Sequence, residues 1–378
     1  MSSEEVLPPP RAEDLPLALV TGATGFVGTH CVRELLEKNY RVRGTVRSTK
    51  NEAKVAPLRR LPHAHERLEL YEIDLLDSVE KWTKALEGVS YVLHVASPVP
   101  IEPDESTIET AIKGTMAVLN AAASSTSVRK VVLTSSCTAI NDGHSNKGRV
   151  FDERTWTKLS SPKIDAYARS KTLAEQAAWK MWKEIEDPNK FQLTVMNPTL
   201  IIGPLISDAD SGSATIIGRM MSFTTFLAAP PVYIGVVDVR DVAAAHVKAL
   251  TTPSTDGHRI LLTNVPTVRF RQLTWWLQLE FGPYGYPVSA VEAKKWMLKL
   301  YAKLGIDKQV KATLHRCDGP LVFDNAKSVD LLGMQYTDPR ESLYAQVYSM
   351  LDLGMIRKTR KFKRMMQRKK SVIVASPS

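Results

Sequence analysis

Residues 17–48 read LALVTGATGFVGTHCVRELLEKNYRVRGTVRS. Leu17 to Val20 is an apolar run without helical period, as in a buried strand. Phe26, Val27, Val32, Leu35 and Leu36 then recur at helical spacing, and Tyr40 to Val46 reads as a second strand. Strand, glycine turn, helix and strand fit in about 30 residues, which is one βαβ unit with a right-handed crossover between parallel strands.

Downstream the alternation continues. Arg67 to Ile73 is predicted as a strand. Ser78 to Leu86 is predicted as a helix capped by Asp77. Strands are predicted at Tyr91 to Ala96, Lys130 to Thr134 and Phe191 to Met196, with helices over Glu105 to Ala123 and within Pro162 to Glu186. Six strands separated by helices predict an α/β fold, a Rossmann-type doubly wound, mostly parallel sheet. Beyond Pro198 the pattern loosens into a smaller mixed lobe. Helices are predicted at Ser213 to Phe226, Val239 to Leu250 (capped by Asp238), Thr267 to Phe281, Val291 to Leu304, Ala326 to Leu332 and Glu341 to Leu353. Short strands are expected at Val232 to Ile234 and His258 to Leu262. The expected division is a disordered leader over 1–14, a dinucleotide-binding domain over 15–200, an interleaved substrate lobe over 201–355 and a basic tail over 356–378.

Composition narrows the classes. The chain has 378 residues, 44% hydrophobic and 24% charged, an ordinary globular balance. No apolar run reaches the roughly 18 residues of a membrane-spanning helix. Three widely spaced cysteines and no secretion signal make a reduced, cytoplasmic setting the expectation. No Cys/His cluster has metal-ligand spacing, so no metal is expected. Nine of the net +10 charges fall between Arg357 and Lys370. The body is therefore nearly neutral, and a nucleic-acid-binding face is not indicated.

The turn Thr21-Gly22-Ala23-Thr24-Gly25-Phe26-Val27-Gly28 follows a strand and opens a helix. Its glycines suit a tight bend, close backbone approach to a pyrophosphate, and close helix packing. The helix N-terminus adds free N–H groups and a positive dipole end. Thr21, Gly22, Thr24, Gly25, Phe26, Val27 and Gly28 are thus candidate cofactor contacts. At the end of the second strand stands Arg47, with Lys50 and Lys54 beyond and no acid. An arginine there suits the 2′-phosphate of NADPH/NADP+, where an NAD site carries an acid, so NADPH is expected over NADH. Asp74-Leu75 ends the third strand, and the acid fits either an adenine contact or a turn cap.

Tyr167 and Lys171 stand four apart in a predicted helix, on one face. A phenol titrates near 10 when unperturbed, and a neighbouring ammonium favours its ionised form. Tyr167 is then equipped to protonate a carbonyl oxygen. Ser136 lies just past the fifth strand, at the sheet edge where open α/β folds bind ligands, and is placed to hold that oxygen. Packing and capping roles are the alternative for each residue alone.

These motifs, with Asn197-Pro198, resemble the extended short-chain dehydrogenase/reductases. VRGTVRS, HVASP, TSSCTAIN, YARSKTLAEQAAW, MNPTLIIGP, VVDVRDVAAAHV and DNAKSVDLLG resemble the dihydroflavonol 4-reductase and cinnamoyl-CoA reductase group over about residues 15–355. The resemblance implies hydride transfer from NADPH to a carbonyl, with Ser136 polarising it, Tyr167 as general acid, and Lys171 holding the nicotinamide ribose. It also implies that Arg47 and Lys54 contact the 2′-phosphate and that Asp74 and Leu75 lie by the adenine. Ala96, Ser97 and Pro198 are then placed along the cofactor, and Asn141 at the substrate. Lys163 to Tyr167 reads KIDAY, not the Asn-Trp-Tyr-Cys-Tyr of cinnamoyl-CoA reductases, so a CoA thioester is not implied.

Met220, Met221, Phe223 and Phe226 are pocket candidates, with burial as the alternative. Aromatics from Trp275 to Tyr286 are expected to pack the lobe. The tail IRKTRKFKRMMQRKK fits an anionic membrane surface, a nuclear signal or a solvated end. A small carbonyl substrate and a monomer or homodimer are expected. The rival functions are a 3β-hydroxysteroid dehydrogenase-like or epimerase-like enzyme, and a cofactor-binding scaffold without turnover.

Overall fold

The computed structural model describes residues 12–98, 104–208, 212–222, 227–304, 317 and 319–375. Its centre is a seven-stranded sheet: β1 (Leu17–Val20), β2 (Arg41–Val46), β3 (Leu68–Glu72), β4 (Tyr91–His94), β5 (Lys130–Thr134), β6 (Gln192–Pro198) and β7 (Arg259–Leu262). The order is β7-β6-β5-β4-β1-β2-β3, and every pair is parallel. The order reverses between β1 and β4, which opens a crevice beyond their C-terminal ends.

The two-residue period of the strands builds two cores. Ala18 and Val20 face one side, against Val32, Leu35 and Leu36 of α1 (Phe26–Glu37) and Val242 and Ala243 of a later helix, Val239–Leu250. Leu17 and Leu19 face the other, against Val118 and Leu119 of α2 (Glu105–Ala123) and Ala178 and Trp179 of α3 (Ala166–Glu184). Caps fix the starts of the long helices. Asp104 and Thr107 form a reciprocal capping box on α2, and the Asp165 carboxylate accepts from the Ala168 N–H at 2.7 Å.

A separate apolar core builds the lobe. Ile217 and Met220 of Gly212–Met220 meet Leu273, Leu277 and Phe281 of Phe270–Phe281, and Leu343, Val347 and Met350 of Pro339–Asp352. The basic tail continues into this core as a helix, Arg360–Ala375. Phe362 is 1% exposed, edge-on to Tyr284 at 5.8 Å and Tyr286 at 6.1 Å between centroids. The start of the tail is therefore lobe structure, not a solvated end.

Several local expectations change. Ser78, not Asp77, caps Val79–Ala85; the Asp77 carboxylate instead accepts from the Asp74 N–H at 2.7 Å and pairs with Lys81. A helix at Glu52–Arg59, unread in the sequence, carries Pro57 inside it. The strand expected at His258 to Leu262 joins the main sheet beside β6. Met221 is buried in the lobe core, so it packs and does not line an open pocket. Phe223 and Phe226 lie outside the described residues.

Candidate active site

The glycine turn leaves β1 under tight constraint. Gly22 has φ +65°, in the left-handed region that favours glycine. Its N–H donates to Thr45 Oγ1 at 3.1 Å, and the Ala23 N–H to the Thr45 carbonyl at 3.0 Å. Thr29 Oγ1 closes the loop onto the carbonyls of Ala23 and Gly25 at 3.0 and 2.8 Å. A Cβ at Gly28 would stand 2.2 Å from the Gly22 carbonyl oxygen. The third glycine is thus what lets α1 pack against the turn.

The turn fits a dinucleotide pyrophosphate. A Cβ at Gly25 would meet only the Gly22 carbonyl oxygen, at 3.2 Å, so the space beside it is otherwise open. No side chain caps α1, whose first N–H groups therefore stay available to an anion. The loop after β4 closes one wall. The Ala96 N–H donates to Thr21 Oγ1 at 2.8 Å, and Ala96 lies against Gly22. His94 is tied to the same threonine hydroxyl at 2.9 Å. Burial, reinforced by the Lys171 cation, pushes its pKa down to about 3, so it is neutral.

Outer positions separate by environment. Arg47 is exposed beyond β2. Lys54 points to Asp208, 3.7 Å away. Asp74 is exposed, and its Oδ1 accepts from the Leu76 N–H at 3.0 Å, as a turn cap does. Leu75 packs under Gly114 of α2, where a Cβ would meet its side chain at 2.3 Å. Ser97 is half-buried beyond Ala96, and Pro198 closes β6 beside Leu262.

Ser136 is 7% exposed, at the N-cap of a short 3-10 turn, Cys137–Ala139. Its Oγ accepts from the Thr138 N–H at 3.2 Å, which leaves its own proton free to be donated. Lys171 is buried in α3, with Nζ 5.9 Å from the Tyr167 ring centroid. Tyr167 is half-buried. Desolvation pulls the Lys171 ammonium down to about 8, against the opposing pull of Glu175. Asn141 follows Ser136 on the same loop; its Nδ2 donates to Asp142 at 3.3 Å, while its buried Oδ1 has no partner among the described residues.

Sequence reading missed the polar cluster behind this set. Glu175, one turn past Lys171, accepts from Ser135 and Asn197 and pairs with Arg259. Its spacing in SKTLAEQAAW put it on the Lys171 face, but nothing local pointed to an arginine 84 residues on.

Comparison with known proteins places the chain among reductases of one family. The profile of the NAD dependent epimerase/dehydratase family matches residues 18–262. Cinnamoyl-CoA reductase 2 of Medicago truncatula is 34% identical over 340 residues, which cover 89% of this chain and 91% of that protein. Cinnamoyl-CoA reductase 1 of Petunia hybrida is 35% identical over 340 residues, covering 89% and 92%. Among solved structures, yeast methylglyoxal/isovaleraldehyde reductase Gre2 complexed with NADPH superposes with a TM-score of 0.73 at 26% identity, over 90% of this chain and 99% of that one.

Proposed function

The chain belongs to the NAD dependent epimerase/dehydratase family, and from that premise we propose that it is an NADPH-dependent reductase of ketone or aldehyde carbonyls in small organic molecules. The observation that carries the reading is Lys171: a buried ammonium held one helical turn from Tyr167, on the helix that packs against the turn capped by Ser136, and near His94, which is bonded to Thr21 of the glycine turn. Related proteins named as reductases support it, one of them solved with NADPH.

When bound, the dinucleotide supplies a hydride to the carbonyl carbon. Tyr167 gives its hydroxyl proton to the carbonyl oxygen, and the Ser136 O–H, free of an acceptor in the turn, holds that oxygen in line. The Lys171 ammonium stabilises the phenolate left behind until solvent returns the proton. Among the described residues, Tyr167 and Glu175 of its own helix and neutral His94 of β4 are the titratable groups that face Lys171. Asn141 brings an unsatisfied amide oxygen to the substrate side.

The ammonium form of Lys171 is the working form, and its pKa stands at about 8. Charge is present below that pH and lost above it, so kcat/KM for carbonyl reduction is expected to fall as pH rises through about 8. A pH–rate profile checks this. A flat profile through that window would count against the role of Lys171.

Arg47 is exposed and makes no ion pair among the described residues, so its guanidinium is free for the 2′-phosphate. Arg47→Glu is expected to weaken NADPH binding by about ten- to a hundredfold, the worth of one charge-assisted contact, and to leave NADH binding unchanged or improved. Titrating both cofactors against both chains decides it; equal losses would remove Arg47 from the cofactor site.

A further inference from the structure

Glu175 is fully buried, and five donors converge on its carboxylate. Oε2 accepts from Ser135 Oγ at 2.6 Å, Asn197 Nδ2 at 2.8 Å and Arg259 Nη2 at 3.4 Å. Oε1 accepts from Arg259 Nε at 2.5 Å and Trp179 Nε1 at 3.3 Å. The Asn197 amide is shared, since it also donates to the Ser136 carbonyl at 3.1 Å. Arg259 spends its other N–H groups on the carbonyls of Glu153, Thr155 and Ala139, at 3.0, 2.8 and 3.1 Å. Its guanidinium lies 3.6 Å from the Trp156 ring centroid.

Four pieces of chain meet here: the segment leaving β5 that carries Ser135, Ser136 and Asn141, the end of β6 with Asn197, α3 with Tyr167, Lys171 and Glu175, and the start of β7 with Arg259. A buried ion pair gains little net stability, because desolvation offsets most of its attraction, and an apolar pair of equal volume often serves as well. Its distinctive effect is direction: hydrogen bonds of fixed geometry from Ser135, Asn197 and Arg259 tie the other pieces to one carboxylate of α3.

We propose that Glu175 is a positioning residue, and that the Glu175–Arg259 pair, acting through Asn197 and Ser135, sets the placement of Ser136 relative to Tyr167 for the reacting carbonyl. The proposal rests on the reading of Ser136, Tyr167 and Lys171 given above. Misplacement of a reacting group by about 1 Å costs on the order of a hundredfold in rate, so the effect belongs in kcat.

Two variants test it. Glu175→Gln removes the carboxylate and leaves Arg259 buried and uncompensated. Asn197→Ala keeps the Glu175–Arg259 ion pair and removes the amide that bridges Glu175 to the Ser136 carbonyl, and it carries the test alone if Glu175→Gln does not fold. Both are expected to bind NADPH as the parent does, with kcat down about ten- to a hundredfold and KM little changed. The alkaline limb of kcat/KM is expected to move to lower pH in Glu175→Gln, which loses the carboxylate that favours the Lys171 ammonium, and to stay in place in Asn197→Ala. Folded variants that keep the parental kcat and pH profile, whatever their Tm, would overturn the proposal. An inactive parent, or a Tyr167→Phe variant as active as the parent, would instead remove the reading of the site on which it rests.

Discussion

Tyr167→Phe is expected to bind NADPH with parental affinity and to lose about a hundred- to ten-thousandfold in carbonyl turnover, the range of a positioned general acid. The substitution deletes one oxygen. The ring keeps its half-buried place on α3, and Lys171 keeps its position over the ring face. What disappears is the proton for the carbonyl oxygen and the anion that the ammonium is placed to stabilise. Steady-state turnover beside a cofactor titration separates the two effects. A loss in cofactor affinity equal to the loss in rate would make Tyr167 a binding residue and not an acid.

The second large effect concerns the glycine turn, where two substitutions are expected to fail for different reasons. Gly28→Ala sets a Cβ 2.2 Å from the Gly22 carbonyl oxygen and 3.0 Å from its carbon. Both are backbone atoms, so α1 must move away from the turn. The expected cost is about 1–3 kcal/mol of stability, together with the loss of measurable NADPH binding. Gly25→Ala meets a single contact at 3.2 Å and otherwise open space. It is expected to melt within a few degrees of the parent, yet to bind NADPH at least about a hundredfold more weakly, because the methyl stands where backbone must approach the pyrophosphate. Thermal melts without cofactor and fluorescence titrations with it make the comparison. Parental NADPH affinity in Gly25→Ala would place the phosphates elsewhere.

What was legible in the sequence was local. The glycine spacing, the Tyr167–Lys171 interval and the position of Ser136 after a strand are each confined to a dozen residues, and backbone geometry translates them directly. The apolar run Leu17 to Val20 was equally readable as a buried strand, and the structure sorts Leu17 and Leu19 to one face of the sheet and Ala18 and Val20 to the other. The seventh strand shows the limit. His258 to Leu262 reads as a strand, but the pairing of Arg259–Leu262 with Val195 to Pro198 is a choice of partner that periodicity does not encode. Arg259 then looks like a solvent-facing charge, although it is buried because Glu175, Glu153, Thr155 and Ala139 supply its acceptors. The tail misled for a related reason. Its lysines and arginines dominate the composition, while the few apolar side chains among them, Phe362 with Met365 and Met366, dock the helix on the lobe core.

The most direct test of the central claim follows NADPH absorbance while the chain is offered a panel of aliphatic and aromatic aldehydes and ketones. Decay that depends on the carbonyl, yields the alcohol in equal amount, and is abolished in Tyr167→Phe is the expected result. Tight NADPH binding with no carbonyl-dependent decay across the panel would contradict it, and would leave a chain that holds the dinucleotide without using it for reduction.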